Sequence, residues 1–280
     1  MLVKVASVQM NPKIFAADEN IDKTVVLANE AITKGANLVV FPECSLTGYC
    51  YESENEATSA AISADGESLE KIVDLAKSAH VWIVVGMVEK DAGNIFNSFV
   101  VIGPKGVEAK YRKSHLSNLG VDNFVLPGNE PFTVIETPVG KLGPLVCYDV
   151  RFPEHARVLA LEGAEILVHI TNLPITASAQ VDYLLPTRAN ENRAYVVSSD
   201  RIGEERGFKF LGRSSIFGVH GEILAQANDK DETIIFAELD LDIARKKQVY
   251  YPPAPGKPVE HINDLFGRRR PELYNRLIEK

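Results

Sequence analysis

Cysteine is scarce in this chain. Only Cys44, Cys50 and Cys147 occur among 280 residues. An odd, low count excludes a disulfide framework and suits a reducing compartment. Cys44 and Cys50 have no histidine-rich stretch beside them, so no zinc site is expected, nor any other metal. Long apolar runs are missing as well. No stretch approaches the roughly 20 residues of a membrane-spanning helix. Positive charge is in deficit, with 30 Lys and Arg against 38 Asp and Glu, a formal net charge of -8. Nucleic acid and anionic membranes need a basic face, so neither is an expected partner. The opening MLVKVASVQM lacks the n-region, long apolar core and cleavage site of a signal peptide. A cytoplasmic protein is expected. No glycine-rich phosphate loop is present; GPKG and GVHG read as hairpin turns, and no cofactor is expected.

What remains is an ordinary globular composition, 45% hydrophobic and 24% charged, long enough to bury a large core. Strand-like and helix-like patterns alternate. Residues 3–10, 38–41, 81–88, 142–147 and 166–170 read as strands. Residues 97–103 and 107–111 read as a hairpin around Pro104-Lys105-Gly106. Further strands are expected over 195–199, 213–217, 223–227 and 233–239. Helical spacing covers 20–34, 69–79, 154–162 and, despite Pro186, 181–192.

The chain echoes itself. Gly35-Ala36-Asn37-Leu38-Val39-Val40 resembles Gly163-Ala164-Glu165-Ile166-Leu167-Val168. Trp82–Val85 resembles Tyr195–Ser198, and Ile102–Gly106 resembles Phe217–Gly221. Three echoes in the same order imply a duplicated α/β unit. Two similar halves with helices on sheets predict two sheets packed face to face, with helices outside both. One domain is expected over residues 1–245, followed by an extension over 246–280. The Pro-rich stretch Tyr250–His261 is expected to be irregular and to pack on the body or on a neighbouring subunit.

Three residues can do chemistry together. Glu43 closes the strand 38–41, Lys113 follows the strand 107–111, and Cys147 ends the strand 142–147 before Pro153 opens a helix. Carboxyl ends of strands are where α/β folds place their sites. Each residue also has a plain reading: a solvated loop glutamate, an edge lysine, a small buried thiol. Alternation makes Arg112 the surface member of its pair with Lys113. A strand-to-helix elbow is expected to expose the thiol and aim backbone N–H groups at it. A free thiol near pKa ~8.5 is mostly protonated at neutral pH and needs a base or a cation. A carboxylate and an ammonium supply both. No Gly-x-Ser-x-Gly elbow exists. His155 is expected to lie outward on its helix rather than pair with Cys147.

The stretches LVVFPECSLTGY, YRKSHL and LVCYDVRFPE, in that order, resemble the nitrilase superfamily of carbon–nitrogen hydrolases. NSFVVIGPKG, RANENRAYVVSSDRIG and RRRPELY extend the resemblance over nearly the whole chain. It implies a four-layer αββα sandwich and a homodimer or higher homo-oligomer. It implies a triad in which Glu43 is the general base, Cys147 the nucleophile and Lys113 the oxyanion cation, with the Tyr148 N–H as a second oxyanion donor. Many members carry a further glutamate before a Pro-Gly turn. Here that stretch is SNLGVDNFVLPGN. Asp122 is the nearest acid, one residue out of step, and either replaces that carboxylate or leaves its role empty; Glu130 lies past the turn. Tyr148-Asp149 after the cysteine is more similar to the amidase branches than to the nitrile-cleaving one. The expected activity is hydrolysis of a small linear amide through a thioester, releasing ammonia. A nitrilase, a carbamoyl-amide hydrolase and a non-catalytic scaffold are the alternatives. Arg151 is expected to hold a substrate carboxylate or, alternatively, to bridge Glu154 or Asp149. Asn172 and the residues after it are expected to wall the pocket.

Overall fold

The computed structural model describes residues 1–251, 253, 255–256 and 261–279. The first half runs β1 (Leu2–Gln9), α1 (Ala17–Thr33), β2 (Leu38–Val40), α2 (Glu54–Ala60), α3 (Glu70–Ala79), β3 (Trp82–Asp91), β4 (Asn94–Gly103) and β5 (Gly106–Arg112). The second runs β6 (Ile135–Thr137), β7 (Gly140–Val146), α4 (Pro153–Leu161), β8 (Ile166–Thr171), α5 (Leu185–Asn192), β9 (Tyr195–Asp200), a small hairpin of β10 (Glu204–Glu205) and β11 (Phe208–Lys209), β12 (Ser215–Phe217) and β13 (Ile223–Gln226). Then come β14 (Thr233–Asp240), α6 (Leu241–Arg245), β15 (Gln248–Tyr251) and β16 (His261–Asp264).

Two six-stranded sheets form, ordered β14-β1-β2-β3-β4-β5 and β13-β12-β9-β8-β7-β6. In each, three neighbouring strands are parallel and antiparallel strands flank them. The order makes β1, β2, β3, β4 and β5 equivalent to β7, β8, β9, β12 and β13. The sequence echoes fall on these equivalents: the entries to β2 and β8, the starts of β3 and β9, and the β4–β5 and β12–β13 turns. The duplicated sandwich is therefore real.

Strand alternation builds the layers. Val3 and Val5, Leu38 and Val40, Val84, and Phe99 and Val101 pack with β7, β8 and β9 between the sheets. Their neighbours Ala6 and Val8, Val39, Ile83 and Val85, and Val100 and Ile102 pack with Ala28 and Ala31 of α1 and Ile72 and Ala76 of α3. Strands covered on both faces read as continuous apolar runs for this reason. Each fully buried aliphatic side chain contributes about 1.5–3 kcal/mol. Polar threads also cross the sandwich: Ser7 Oγ donates to Ser198 O at 2.8 Å and Ser199 Oγ to Val40 O at 3.0 Å.

Two expectations need correction. Residues 181–192 are not one α-helix. A π-helical turn over Gln180–Leu184 runs directly into α5, and Pro186 is the second residue of α5, where it has no N–H to donate back into that turn. The proline-rich segment is not wholly irregular either. Gln248–Tyr251 pairs with His261–Asp264 as an antiparallel ladder; most of what lies between falls outside the described residues. The chain flanking this hairpin packs on the body: the Arg157 guanidinium lies 5.0 Å from the Phe266 ring, and Lys247 Nζ donates to Asn192 O and Arg193 O. No helix among the described residues is long and apolar enough to cross a membrane.

Candidate active site

Three strand ends converge. β2 stops at Val40, and a tight turn carries Glu43; Ser45 N donates to Pro42 O and Gly48 N to Cys44 O. The turn lies directly on β3. A Cβ at Gly86 would come within 2.5 Å of Cys44 N and 2.7 Å of Glu43 Cα, so only glycine allows this approach. Past β5, Lys113 N donates to Asn97 O at 2.8 Å and Lys113 O accepts from Gly128 N at 2.9 Å. Alternation sends Arg112 the other way, onto the buried Glu89, at 2.8 and 2.9 Å. Past β7, Cys147 adopts a left-handed backbone with φ 47. That conformation is uncommon for a residue with a side chain and marks a strained elbow. A short 3₁₀ turn over Cys147–Arg151 then leads into α4 through Pro153.

The expected exposure of the Cys147 thiol is overturned. Glu43 and Lys113 are 0% exposed and Cys147 is 6% exposed. Glu43 and Lys113 are shut from bulk water, and Cys147 keeps only a trace of exposure.

Glu43, Lys113, Asp122 and Asn97 form one hydrogen-bonded cluster. Lys113 Nζ donates to Glu43 Oε1 at 2.8 Å and to Asp122 Oδ2 at 2.6 Å. Asn97 Nδ2 donates to Glu43 Oε1 at 2.7 Å and to Asp122 Oδ1 at 2.9 Å. Ser117 adds its N–H and its hydroxyl to Asp122 Oδ2. The 3₁₀ turn Gly120–Asn123 delivers the Asp122 carboxylate, which reaches the lysine despite its offset in the sequence. Asn97 was not foreseen. It lies in β4 opposite the end of β5, and a buried asparagine in a largely apolar strand was the available signal.

One carboxylate oxygen has no partner: Glu43 Oε2 is buried and unbonded. Burial raises the Glu43 carboxyl above its ordinary value, Lys113 opposes this, and the Asp122 charge adds to the rise. For Lys113, burial pushes down, but the Glu43 and Asp122 carboxylates overcome it and hold the ammonium well above its ordinary value. The Cys147 thiol is pushed up, first by burial and then by the Glu43 charge; the Lys113 ammonium and the Thr171 hydroxyl pull the other way. The resting sulfur is therefore a thiol, and the carboxylate whose charge acts on it keeps one oxygen free.

The elbow is held from below. His169 on β8 is buried, and its Nε2 lies 3.1 Å from Cys147 O while Nδ1 lies 2.9 Å from Ser198 Oγ. Burial drops this imidazole to about 4, so it is neutral and donates Nε2–H to the carbonyl. Asn172, just past β8, is 0% exposed with both amide atoms unpartnered. Tyr49 Oη is also buried without a partner. Tyr148 packs edge-on against Phe152 at 5.5 Å. Arg151 is exposed; its guanidinium lies 5.7 Å over the Tyr148 ring, and no salt bridge to Glu154 or Asp149 forms among the described residues. Glu130 is exposed.

His155 does not lie outward. It is fully buried, stacked 3.8 Å from the Phe132 ring. His115, Asp149 and His155 each bring one potential metal ligand within 4.8 Å of the others. A metal there would have to break the 2.7 Å contact between His115 Nδ1 and Asp149 Oδ1 and tilt two imidazoles off the phenyl rings they stack on. The group fits a packed polar bridge better than a metal centre.

Residues 4–248 match a family model described as carbon–nitrogen hydrolase. A nitrilase of Pyrococcus abyssi is 41% identical over 98% of this chain and 100% of its own. An omega-amidase of Xenopus tropicalis is 32% identical over 80% of this chain and 84% of its own. Among solved structures, a carbon–nitrogen hydrolase from Helicobacter pylori G27 superposes with a TM-score of 0.86 at 28% identity, over 100% of this chain and 99% of that one.

Proposed function

The chain belongs to the carbon–nitrogen hydrolase family of the nitrilase superfamily, and we propose that it is an amidase acting on a small linear amide through a Cys147 thioester. One observation carries this reading. A buried carboxylate has one oxygen fully bonded and the other free, and its charge acts on a thiol that burial keeps protonated. Such a thiol cannot attack as a standing thiolate. It attacks as its proton leaves, and the free Glu43 oxygen is the acceptor.

Sulfur bonds to the amide carbon, and the carbonyl π-pair moves to oxygen. Lys113 has three N–H donors, of which Glu43 and Asp122 engage two; the third, with the Tyr148 N–H, meets the oxyanion. In a dry site one such donor is typically worth about 3–4 kcal/mol of barrier. The proton passes from Glu43 to the nitrogen, the C–N bond breaks and ammonia leaves. Glu43 then takes a proton from water, hydroxyl adds to the thioester, and collapse returns a carboxylic acid and the thiol. The free amide atoms of Asn172 suit a substrate that both donates and accepts. The enclosure suits a small one. The omega-amidase relative supports the amide reading; the nitrilase relative keeps a nitrile, attacked by the same sulfur, as the second reading.

A panel of small amides, nitriles and carbamoyl compounds tests this, scored for ammonia, acid and carbon dioxide, with intact mass to catch an acyl group on Cys147. Amide turnover with a Cys147 adduct is expected. Turnover of nitriles alone, or release of carbon dioxide, would reassign the substrate class; amide turnover unaffected by Cys147→Ala would overturn the mechanism.

A further inference from the structure

Asp149 stands two residues past Cys147, is 0% exposed, and is the acceptor in contacts with both catalytic arms. Its Oδ2 accepts from the Tyr111 hydroxyl and from Val146 N, each at 2.9 Å. Its Oδ1 accepts from His115 N at 3.2 Å and faces His115 Nδ1 at 2.7 Å. The donors come from two separate segments. Tyr111 and His115 flank Lys113, two residues to either side. Val146 directly precedes Cys147. Ladder hydrogen bonds run within a sheet, but this one carboxylate spans from the edge strand β5 of one sheet to β7 of the other.

The surroundings keep the bridge rigid. Phe152 stacks on His115 at 3.8 Å, and Phe132 stacks on His155 at 3.8 Å. Tyr111 Oη also accepts from Ser114 N at 3.1 Å, which ties the bend after Lys113 into the same knot. Charged hydrogen bonds in such a dry setting are about twice as strong as neutral ones. An amide in place of the carboxylate would turn an NH₂ group either toward His115 or toward Tyr111 and Val146, and lose the bonds on that side.

We propose that Asp149 is a positioning residue that sets the Lys113 ammonium against the Cys147 sulfur, resting on the reading of these two as oxyanion donor and nucleophile. It touches neither the substrate nor the reacting atoms. Its effect falls on transition-state geometry, so it lowers the rate of sulfur acylation and spares binding.

The test compares Asp149→Asn and the milder Tyr111→Phe, which removes one bond and keeps the ring. Three quantities are read: kcat and KM on an amide the wild type hydrolyses, the rate of Cys147 acylation by p-nitrophenyl acetate followed by intact mass, and the thermal midpoint. Acylation and kcat are expected to fall at least about tenfold in Asp149→Asn and several-fold in Tyr111→Phe, with KM within about twofold. A lower thermal midpoint with wild-type kcat and acylation would show a merely structural bridge and overturn the proposal. If Asp149→Asn does not fold, Tyr111→Phe decides. If the wild type hydrolyses no amide yet Cys147 is acylated, the amidase reading fails, and the acylation rates still judge Asp149.

Discussion

Asp122 Oδ2 lies 2.6 Å from Lys113 Nζ, so the ammonium is shared between two buried carboxylates. The group is thus a triad of charges, with Asn97 bonding both acids. Lys113 cannot be read as a cation free to pair with sulfur. Its pull on the thiol is outweighed by burial and by the Glu43 charge, so the thiol stays protonated and a base is needed.

Removing the Asp122 charge should move the pH profile. Asp122 raises Glu43, and Glu43 must be ionised to act as base. In the wild type, the acid limb of kcat/KM is therefore expected above the ordinary carboxylate range, with activity rising as pH rises through it. In Asp122→Asn that limb should move to lower pH, and kcat should drop about tenfold as the ammonium loses one anchor. A pH–rate series on both proteins checks this; an unmoved limb would separate Asp122 from the base.

Cys147→Ser is expected to fold as the wild type does and to lose at least about 10³-fold in kcat, because a hydroxyl is a far weaker nucleophile under the same base. Circular dichroism and ammonia release measure the two halves of the statement. Robust turnover would remove Cys147 from the nucleophile's role.

Lys113→Ala should cost both chemistry and stability. It strands two carboxylates, both 0% exposed as side chains, and loss of one partner from a buried charge cluster typically costs about 3–5 kcal/mol. Denaturant melts and kinetics on the folded fraction separate the effects. On that fraction kcat should fall more than KM rises, since the oxyanion contact strengthens in the transition state.

Glu89 gives a pH effect on stability away from the site. Burial acts to raise its carboxyl, but Arg112, Lys110 and Ser98 overcome it and hold it near about 2, below its ordinary 4.5. The folded state therefore favours the ionised form. Its stabilisation is full above 4.5 and is lost as pH falls from 4.5 toward 2. Glu89→Gln should be less stable at neutral pH and show a flatter fall in stability across that window. Parallel urea melts at pH 6 and pH 3 read the slope.

Arg151 is exposed and free of carboxylates among the described residues. Arg151→Ala should raise KM for acidic amides several-fold and leave neutral ones within about twofold, by loss of a charge-assisted contact. Equal effects on both would leave Arg151 with its stacking on Tyr148 alone.

The fold was largely legible because its strands are buried on both faces and because each half repeats the other's turns. Entries such as Gly35-Ala36 and Gly163-Ala164 carry that signal locally. Glu43, Lys113 and Cys147 were legible as strand-end residues with complementary chemistry. Their burial was not, because it depends on two sheets meeting, which no local pattern encodes. Asn97 and His169 were hidden for the same reason: each is a polar residue inside a strand whose partner lies on a distant element. Inward-facing His155 was missed because its outward placement was inferred from the helix alone, while Phe132, on another segment, makes the pocket it fills. The pairing of β15 with β16 was obscured by prolines that sit between the strands rather than within them.

Residue 86 has no side chain, and the turn bearing the proposed base rests in the space this leaves. One methyl there would push the peptide from Pro42 to Cys44 outward and shift the free Glu43 oxygen from its place. Activity can therefore be silenced from a strand interior that never meets a substrate, by a change that adds bulk and alters no charge.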